Sequence, residues 1–172
     1  MTIKTPRLES LAHFQNRLAG FAVLLILVHV SLDVLMRYML NSPIPATLEV
    51  VSFYYMIALT FLPMLILEYQ DKHIKTDLFF RQFPKALQRV SIAASGLMAV
   101  FFYWLLTYVC FEEALSATHR GEVVMGVHLL PIWPARWLLP VAFLSASIGA
   151  LFSTIRALSS GGGSPYAEEG EI

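Results

Sequence analysis

Four apolar stretches, each about as long as the hydrocarbon core of a bilayer is thick, constrain this 172-residue chain more than any other feature. They run roughly from Leu18 to Met39, Leu48 to Tyr69, Val90 to Phe111 and Trp137 to Leu158. Lipid offers the backbone no hydrogen-bond partners, so each stretch has to be helical. The sequence therefore predicts an all-α integral membrane protein with four transmembrane helices.

The composition agrees with a membrane protein. Hydrophobic residues make up 57% and charged residues 14% of the chain, whereas soluble domains carry about 25% charged residues. The formal net charge is zero, so no basic surface indicates a nucleic-acid partner. A single cysteine, Cys110, excludes an internal disulfide and a cysteine-based metal cluster.

The distribution of lysine and arginine predicts the orientation, because short loops rich in these residues stay in the cytoplasm. Nine of them lie on one side, before the first stretch, between the second and third, or, in the case of Arg156, at the end of the fourth; three lie on the other side, Arg37, Arg120 and Arg136. Both termini should be cytoplasmic. We expect a cytoplasmic arm at 1–17, a four-helix membrane domain at 18–158 and a flexible cytoplasmic tail at 159–172.

The connections carry further signals. A proline-rich outer turn at 41–45 predicts an antiparallel hairpin of the first two helices, and Pro63 predicts a kink in the second. Basic and apolar residues alternate at 71–87, which favours a short interfacial helix between helices 2 and 3 over a solvated loop. The second outer connection, 112–131, begins acidic and ends apolar, so we expect it to lie along the membrane surface or a partner.

Polar residues inside the first stretch need a specific explanation. His29, Asp33 and Arg37 are spaced by four, which places them on one helical face with Asp33 and Arg37 close enough to pair. We expect Asp33 to face protein, and Glu49 is a second candidate partner for Arg37. The cluster is interpreted as a lock for a hairpin or an interface, with contact to a transported ion or proton as the alternative.

Catalytic and redox sites have little support in the sequence. A bis-histidine haem site in a four-helix bundle needs facing pairs at matching depth, and His29 has no such mate in the apolar stretches. The remaining histidines show neither a zinc spacing nor a Ser/His/Asp grouping. We therefore expect no enzyme and no metal site in this chain.

Several short motifs occur in an informative order. They are the Arg37-Tyr38 pair, the turn at 41–45, Glu49, His73-Ile74 with Asp77, and the segment from Leu130-Pro131-Ile132-Trp133 to Leu139-Pro140. Together, over roughly Leu11 to Leu158, they resemble the small, DctQ-like membrane subunit of tripartite ATP-independent periplasmic (TRAP) transporters.

The resemblance implies a three-part secondary transporter of the bacterial inner membrane. Its other parts would be a periplasmic solute-binding protein and a large membrane subunit that holds the substrate and sodium sites, so no cofactor is expected in this chain. Substrates would be organic acids such as dicarboxylates or sialic acids. The chain itself would be a non-catalytic scaffold in the lipid bilayer. Structural or interface roles are expected for His29, Asp33, Arg37, Glu49, His73, Asp77, Trp133 and Arg136.

One hypothesis from a different class stays open. The chain could be a self-sufficient small transporter or channel that works as a homo-oligomer, with Asp33 and His29 lining the pathway. The kink at Pro63 supports this hypothesis, while the lack of an inverted repeat speaks against it.

Overall fold

A computed structural model describes residues 6–70, 84–125 and 129–159. It contains four helical spans that are long and apolar enough to cross a membrane: span 1 (Pro6–Leu40), span 2 (Thr47–Tyr69), span 3 (Ala86–Arg120) and span 4 (Trp133–Ser159). The predicted four-helix architecture is confirmed. His73, Asp77, the predicted interfacial helix and the tail after Ser159 lie outside the described residues.

Span 1 is one uninterrupted helix, α1, from Pro6 to Leu40. It begins at Pro6 and not at Leu18, so most of the polar arm is helical. The residues that follow Pro6 include several good helix formers and no further proline. Hydropathy therefore located the apolar part of this helix and not its start.

Regular α-helical structure in span 2 is interrupted twice, by a π-helical segment and near Pro63. The span consists of α2 (Thr47–Val50), a π-helical segment (Val51–Tyr55), α3 (Met56–Phe61) and α4 (Met64–Tyr69). The helix is interrupted at Leu62 and Pro63, where the sequence predicted a kink, because proline has no N–H to donate to the preceding turn. The backbone resumes with Ile66 and Leu67, whose N–H groups both donate to the Pro63 carbonyl at 3.1 and 3.2 Å.

Span 3 is the helix α5, Lys85–Arg120, which continues well past the apolar stretch that ends at Phe111. Gly121 ends it in the left-handed conformation, with φ at 58°. The second connection is therefore shorter than the predicted 112–131, since its acidic first part is helical. The charged residues that follow Phe111 led to the prediction of a loop. A helix can nevertheless continue through charged residues where it leaves the lipid.

The second connection contains the only strands in the described part of the chain. β1 (Val123–Met125) pairs antiparallel with β2 (Leu129–Pro131), a short pairing that the sequence analysis did not predict in an otherwise helical protein. Strand pairing gives hydrogen-bond partners to backbone N–H and C=O groups that an unpaired apolar segment would leave without them. Span 4 then follows as α6 (Trp133–Arg136) and α7 (Leu138–Ser159).

Span 4 lies at the centre of the bundle. Its small residues Ala142, Ala146 and Ala150 are buried, and a Cβ added at Gly149 would lie 3.0 Å from Leu65 Cδ1 of span 2. On span 3, a Cβ at Gly96 would lie 2.1 Å from Thr154 Oγ1. Small residues thus let span 4 approach spans 2 and 3 closely.

The alternating spans define two ends of the bundle. The loop end carries the connections between spans 1 and 2 and between spans 3 and 4. The terminal end carries the starts of spans 1 and 3 and the last turns of spans 2 and 4. There the guanidinium carbon of Arg156 lies 4.8 Å from the centre of the Tyr69 ring.

Candidate functional site

Asp33 joins spans 1 and 2 at the loop end. It is buried, with 5% of its surface exposed, and its Oδ2 accepts a hydrogen bond from Arg37 Nη2 at 2.9 Å. Its Oδ1 accepts the backbone N–H of Ile44 at 2.8 Å. One carboxylate therefore fixes both the last turn of α1 and the chain that leaves it.

The turn after α1 explains why Ile44 reaches Asp33. Asn41 and Ala46 both adopt positive φ, at 51° and 60°, and this reverses the chain within a few residues. Thr47 Oγ donates to the Ile44 carbonyl at 3.1 Å. Glu49 lies half-buried in α2, and the described residues include no ion pair between it and Arg37. The structure thus assigns Arg37 to Asp33 and not to Glu49.

His29 contacts the π-helical segment of span 2. Its Nδ1 lies 3.3 Å from the Tyr55 hydroxyl, and the two rings meet edge to face with centroids 5.8 Å apart. The wider turn of the π-helix places Tyr55 at this contact, and such turns are frequent where a helix serves a specific role. His29 and Asp33 therefore both contact span 2 from the same face of α1.

A second polar cluster lies at the loop end between spans 3 and 4. Arg136 Nη2 donates to Glu122 Oε1 at 2.6 Å and its Nη1 lies 3.6 Å from Glu113. Arg120 in turn pairs with Glu113 at 3.2 Å. We call Glu113, Arg120, Glu122 and Arg136 the loop-end network. It ties the end of α5, the start of β1 and α6 together.

Other contacts hold the second connection in place. The Trp137 indole donates to Thr118 Oγ at 3.0 Å, while Trp133 begins α6 and is partly exposed. The Tyr54 hydroxyl donates to the Pro131 carbonyl, so span 2 also contacts the hairpin. The two loop-end connections are therefore linked through span 2.

Two polar contacts were missed from the sequence. Tyr103 donates to the buried carboxylate of Glu68 at 2.6 Å, which joins spans 3 and 2. Ser145 Oγ donates to Gln15 Oε1 at 3.2 Å, which joins spans 4 and 1. The sequence did contain a signal for the contact between Tyr103 and Glu68, because Glu68 is an acidic residue inside an apolar stretch. For the second contact there was none, because Gln15 lay in a segment interpreted as a solvated arm.

These arrangements indicate what the polar residues do chemically. The side chains of Asp33, His29 and Glu68 each contact a neighbouring span or its connection. These polar groups therefore hold the helices against one another. Within residues 6–70, 84–125 and 129–159, no three His, Cys, Asp or Glu side chains come together as metal ligands would.

Comparison with known proteins identifies the family of the chain. No curated protein and no solved structure matches it significantly. A family model described as "Tripartite ATP-independent periplasmic transporters, DctQ component" matches residues 26–160 of the 172, a region that contains the last three apolar stretches and most of the first. The chain is thus a multi-pass membrane protein that belongs to the DctQ family, the small component of TRAP transporters.

Proposed function

We propose that this chain is the non-catalytic small permease subunit of a sodium-coupled TRAP transporter that imports organic acids of the dicarboxylate or sialic-acid type. It resides in the bacterial inner membrane and scaffolds the large transport subunit. Sodium and substrate bind to that large subunit, so this chain needs no cofactor. Its loop-end connections help to dock the periplasmic solute-binding protein.

The observation that carries the scaffold role is how the chain uses its polar groups. Asp33, His29 and Glu68 contact neighbouring spans, while the spans expose broad apolar faces. On span 3 the exposed apolar side chains include Leu97, Met98, Phe101, Phe102, Trp104, Leu105, Leu106 and Val109. A subunit with internal polar contacts and open apolar faces is suited to pack against lipid and a larger membrane partner.

The terminal end faces the cytoplasm in this proposal, because nine of the twelve basic residues lie on that side. Reporter fusions test the orientation. Fusions at Lys75 and Ser164 should read cytoplasmic, and those at Ser42 and Arg120 should read periplasmic. A periplasmic signal at Lys75 would overturn the orientation.

Uptake measurements test the function. The chain should copurify with a large permease subunit when the two are made together, and sodium-dependent uptake of an organic acid should require both subunits and the binding protein. The purified chain alone in vesicles should show no uptake. Sodium-dependent uptake by the lone chain would refute the scaffold role and favour the homo-oligomeric transporter.

The hairpin offers a separate test of docking. Leu129 of β2 is 71% exposed and lies on the surface that faces away from the bundle core. Leu129→Glu should lower uptake at limiting binding protein while copurification with the large subunit is unchanged. Unchanged uptake over the full range of binding-protein concentration would argue against docking at this hairpin.

A further inference from the structure

The arginines at the two ends of the bundle differ in their partners. At the loop end Arg37, Arg120 and Arg136 each pair with a carboxylate of this chain. At the terminal end Arg17 and Arg89 are exposed, and neither has an ion-pair partner in the described part of the chain. Arg7, near the start of α1, is also exposed and has no ion-pair partner among the described residues, but it lies ten residues before Arg17, about 15 Å further from the membrane centre. Arg17 and Arg89 are thus the two guanidinium groups nearest the apolar part of the spans that are left to bind anions outside the chain.

We propose that Arg17 of span 1 and Arg89 of span 3 bind the phosphate groups of anionic phospholipids at the terminal end. These two lipid contacts do not depend on the transport function, and they hold for either orientation of the chain.

The depth of the two arginines matches the headgroup layer. Arg17 and Arg37 are 20 positions apart on α1, and Arg89 and Glu112 are 23 positions apart on α5. At 1.5 Å per residue these separations are about 30 and 35 Å, while the hydrocarbon core is about 30 Å thick. With the polar loop-end residues at one boundary, Arg17 and Arg89 therefore lie at the other.

The neighbouring side chains fit the acyl side of the same boundary. Phe14 and Phe21 lie one helical turn on either side of Arg17 and are 58% and 56% exposed. Val90, which follows Arg89, is 63% exposed. An arginine beside exposed apolar side chains places its stem along lipid and its guanidinium at the phosphate. A soluble anion would not require these exposed apolar neighbours.

The test is lipid binding to the purified full-length chain, measured by native mass spectrometry with phosphatidylglycerol and phosphatidylcholine as probes. Wild type should prefer phosphatidylglycerol. The double variant Arg17→Gln/Arg89→Gln should lose that preference by about fivefold for each arginine. Arg17→Lys/Arg89→Lys keeps both charges and should retain the preference, which separates loss of charge from loss of folding.

A matched control removes two other positive charges. Arg7→Gln/Arg120→Gln has the same net charge as the first double variant, but neither residue lies at the predicted phosphate depth, so the lipid preference should persist. Equal loss in both double variants, or no preference in wild type, would overturn the proposal. Displacement of the lipid by soluble glycerol phosphate would assign the site to a small anion instead. Unchanged lipid binding with lost copurification of the large subunit would assign the two arginines to a subunit interface.

Discussion

Spans 1 and 2 are joined in a different way from spans 3 and 4. Asp33 holds the first pair at the loop end through two charge-assisted hydrogen bonds, one to Arg37 and one to the Ile44 backbone. The second pair also shares the partly exposed loop-end network, but along the spans it packs closely, with Gly96 directly against Thr154. The Asp33 joint between spans 1 and 2 therefore depends on one charged side chain. The close contact between spans 3 and 4 depends instead on Gly96 having no side chain.

This difference predicts opposite sensitivities. A substitution that keeps size but removes charge should damage the Asp33 joint and leave the Gly96 contact intact. A substitution that adds one or two methyl groups should do the reverse. Thermal stability of the purified chain in detergent measures both effects on the same scale. A charge-removing variant that disturbs the Gly96 contact, or a volume-adding variant that disturbs the Asp33 joint, would contradict this difference.

The largest effect is expected for Gly96→Val. The new Cβ would lie 2.1 Å from Thr154 Oγ1 and 2.8 Å from Thr154 Cβ, and Cβ cannot move away by side-chain rotation. Spans 3 and 4 must separate, at a cost of about 3 kcal/mol. The melting temperature of the purified chain reports this loss.

A second-site variant checks the cause. Thr154→Gly removes all three atoms that the new side chain meets, so Gly96→Val should cost much less in a Thr154→Gly background than in wild type. The same cost in both backgrounds would show that the loss comes from the helix propensity of valine and not from the contact between the spans.

Asp33→Ala should have the next largest effect. It leaves the Ile44 N–H without its acceptor and Arg37 without its partner, and a partly buried donor that loses its acceptor costs more than the net value of the hydrogen bond. We expect the melting temperature to fall by more than about 5 °C. Arg37→Ala should cost less, because Asp33 keeps the Ile44 hydrogen bond and the Arg37 side chain is 65% exposed.

The control for this pair is Glu49→Ala. Glu49 is also acidic and close in sequence, but it has no ion pair with Arg37 in the described residues, so its loss should leave stability nearly unchanged. The double variant Asp33→Ala/Arg37→Ala should be less damaging than the sum of its parts. Strictly additive losses would contradict the pairing seen between Asp33 and Arg37.

Hydropathy and helical spacing predicted the features that depend on short-range pattern. The four spans, the break at Pro63 and the common face of His29, Asp33 and Arg37 all follow from residues a few positions apart. The extension of α5 to Arg120 did not follow, because hydropathy measures preference for lipid and not for helix. Charged residues end an apolar stretch without ending the helix that contains it.

Contacts between distant residues could not be predicted in the same way. Gln15 and Ser145 are 130 positions apart, and nothing in either local pattern indicates that they meet. The π-helical segment before Met56 has no known sequence signal comparable to a proline. The strand pairing of Val124 with Leu130 depends on how α5 and span 4 are placed. These features arise from tertiary packing.

Arg136→Gln tests the loop-end network, where we expect a smaller effect. Its ion pair with Glu122 is short, at 2.6 Å, but 32% of the Arg136 side chain is exposed, so solvent weakens the pair. Arg120 also remains to pair with Glu113 after the substitution. A loss of about 1 kcal/mol that shrinks at high salt is expected from melting curves at two ionic strengths. A loss as large as that of Asp33→Ala would mean that Arg120 does not compensate for the loss of Arg136.

Gly20→Ala should have the smallest effect, because Gly20, unlike Gly96, does not lie against a neighbouring span. No atom lies within 4 Å of a Cβ added at Gly20, so the substitution adds no clash and gains up to about 1 kcal/mol of helix propensity. The melting temperature of the isolated chain should stay the same or rise slightly. If the same variant also lowers copurification with the large subunit, the open space beside Gly20 belongs to the contact between subunits. A destabilised isolated chain would instead contradict the exposed position of Gly20 on α1.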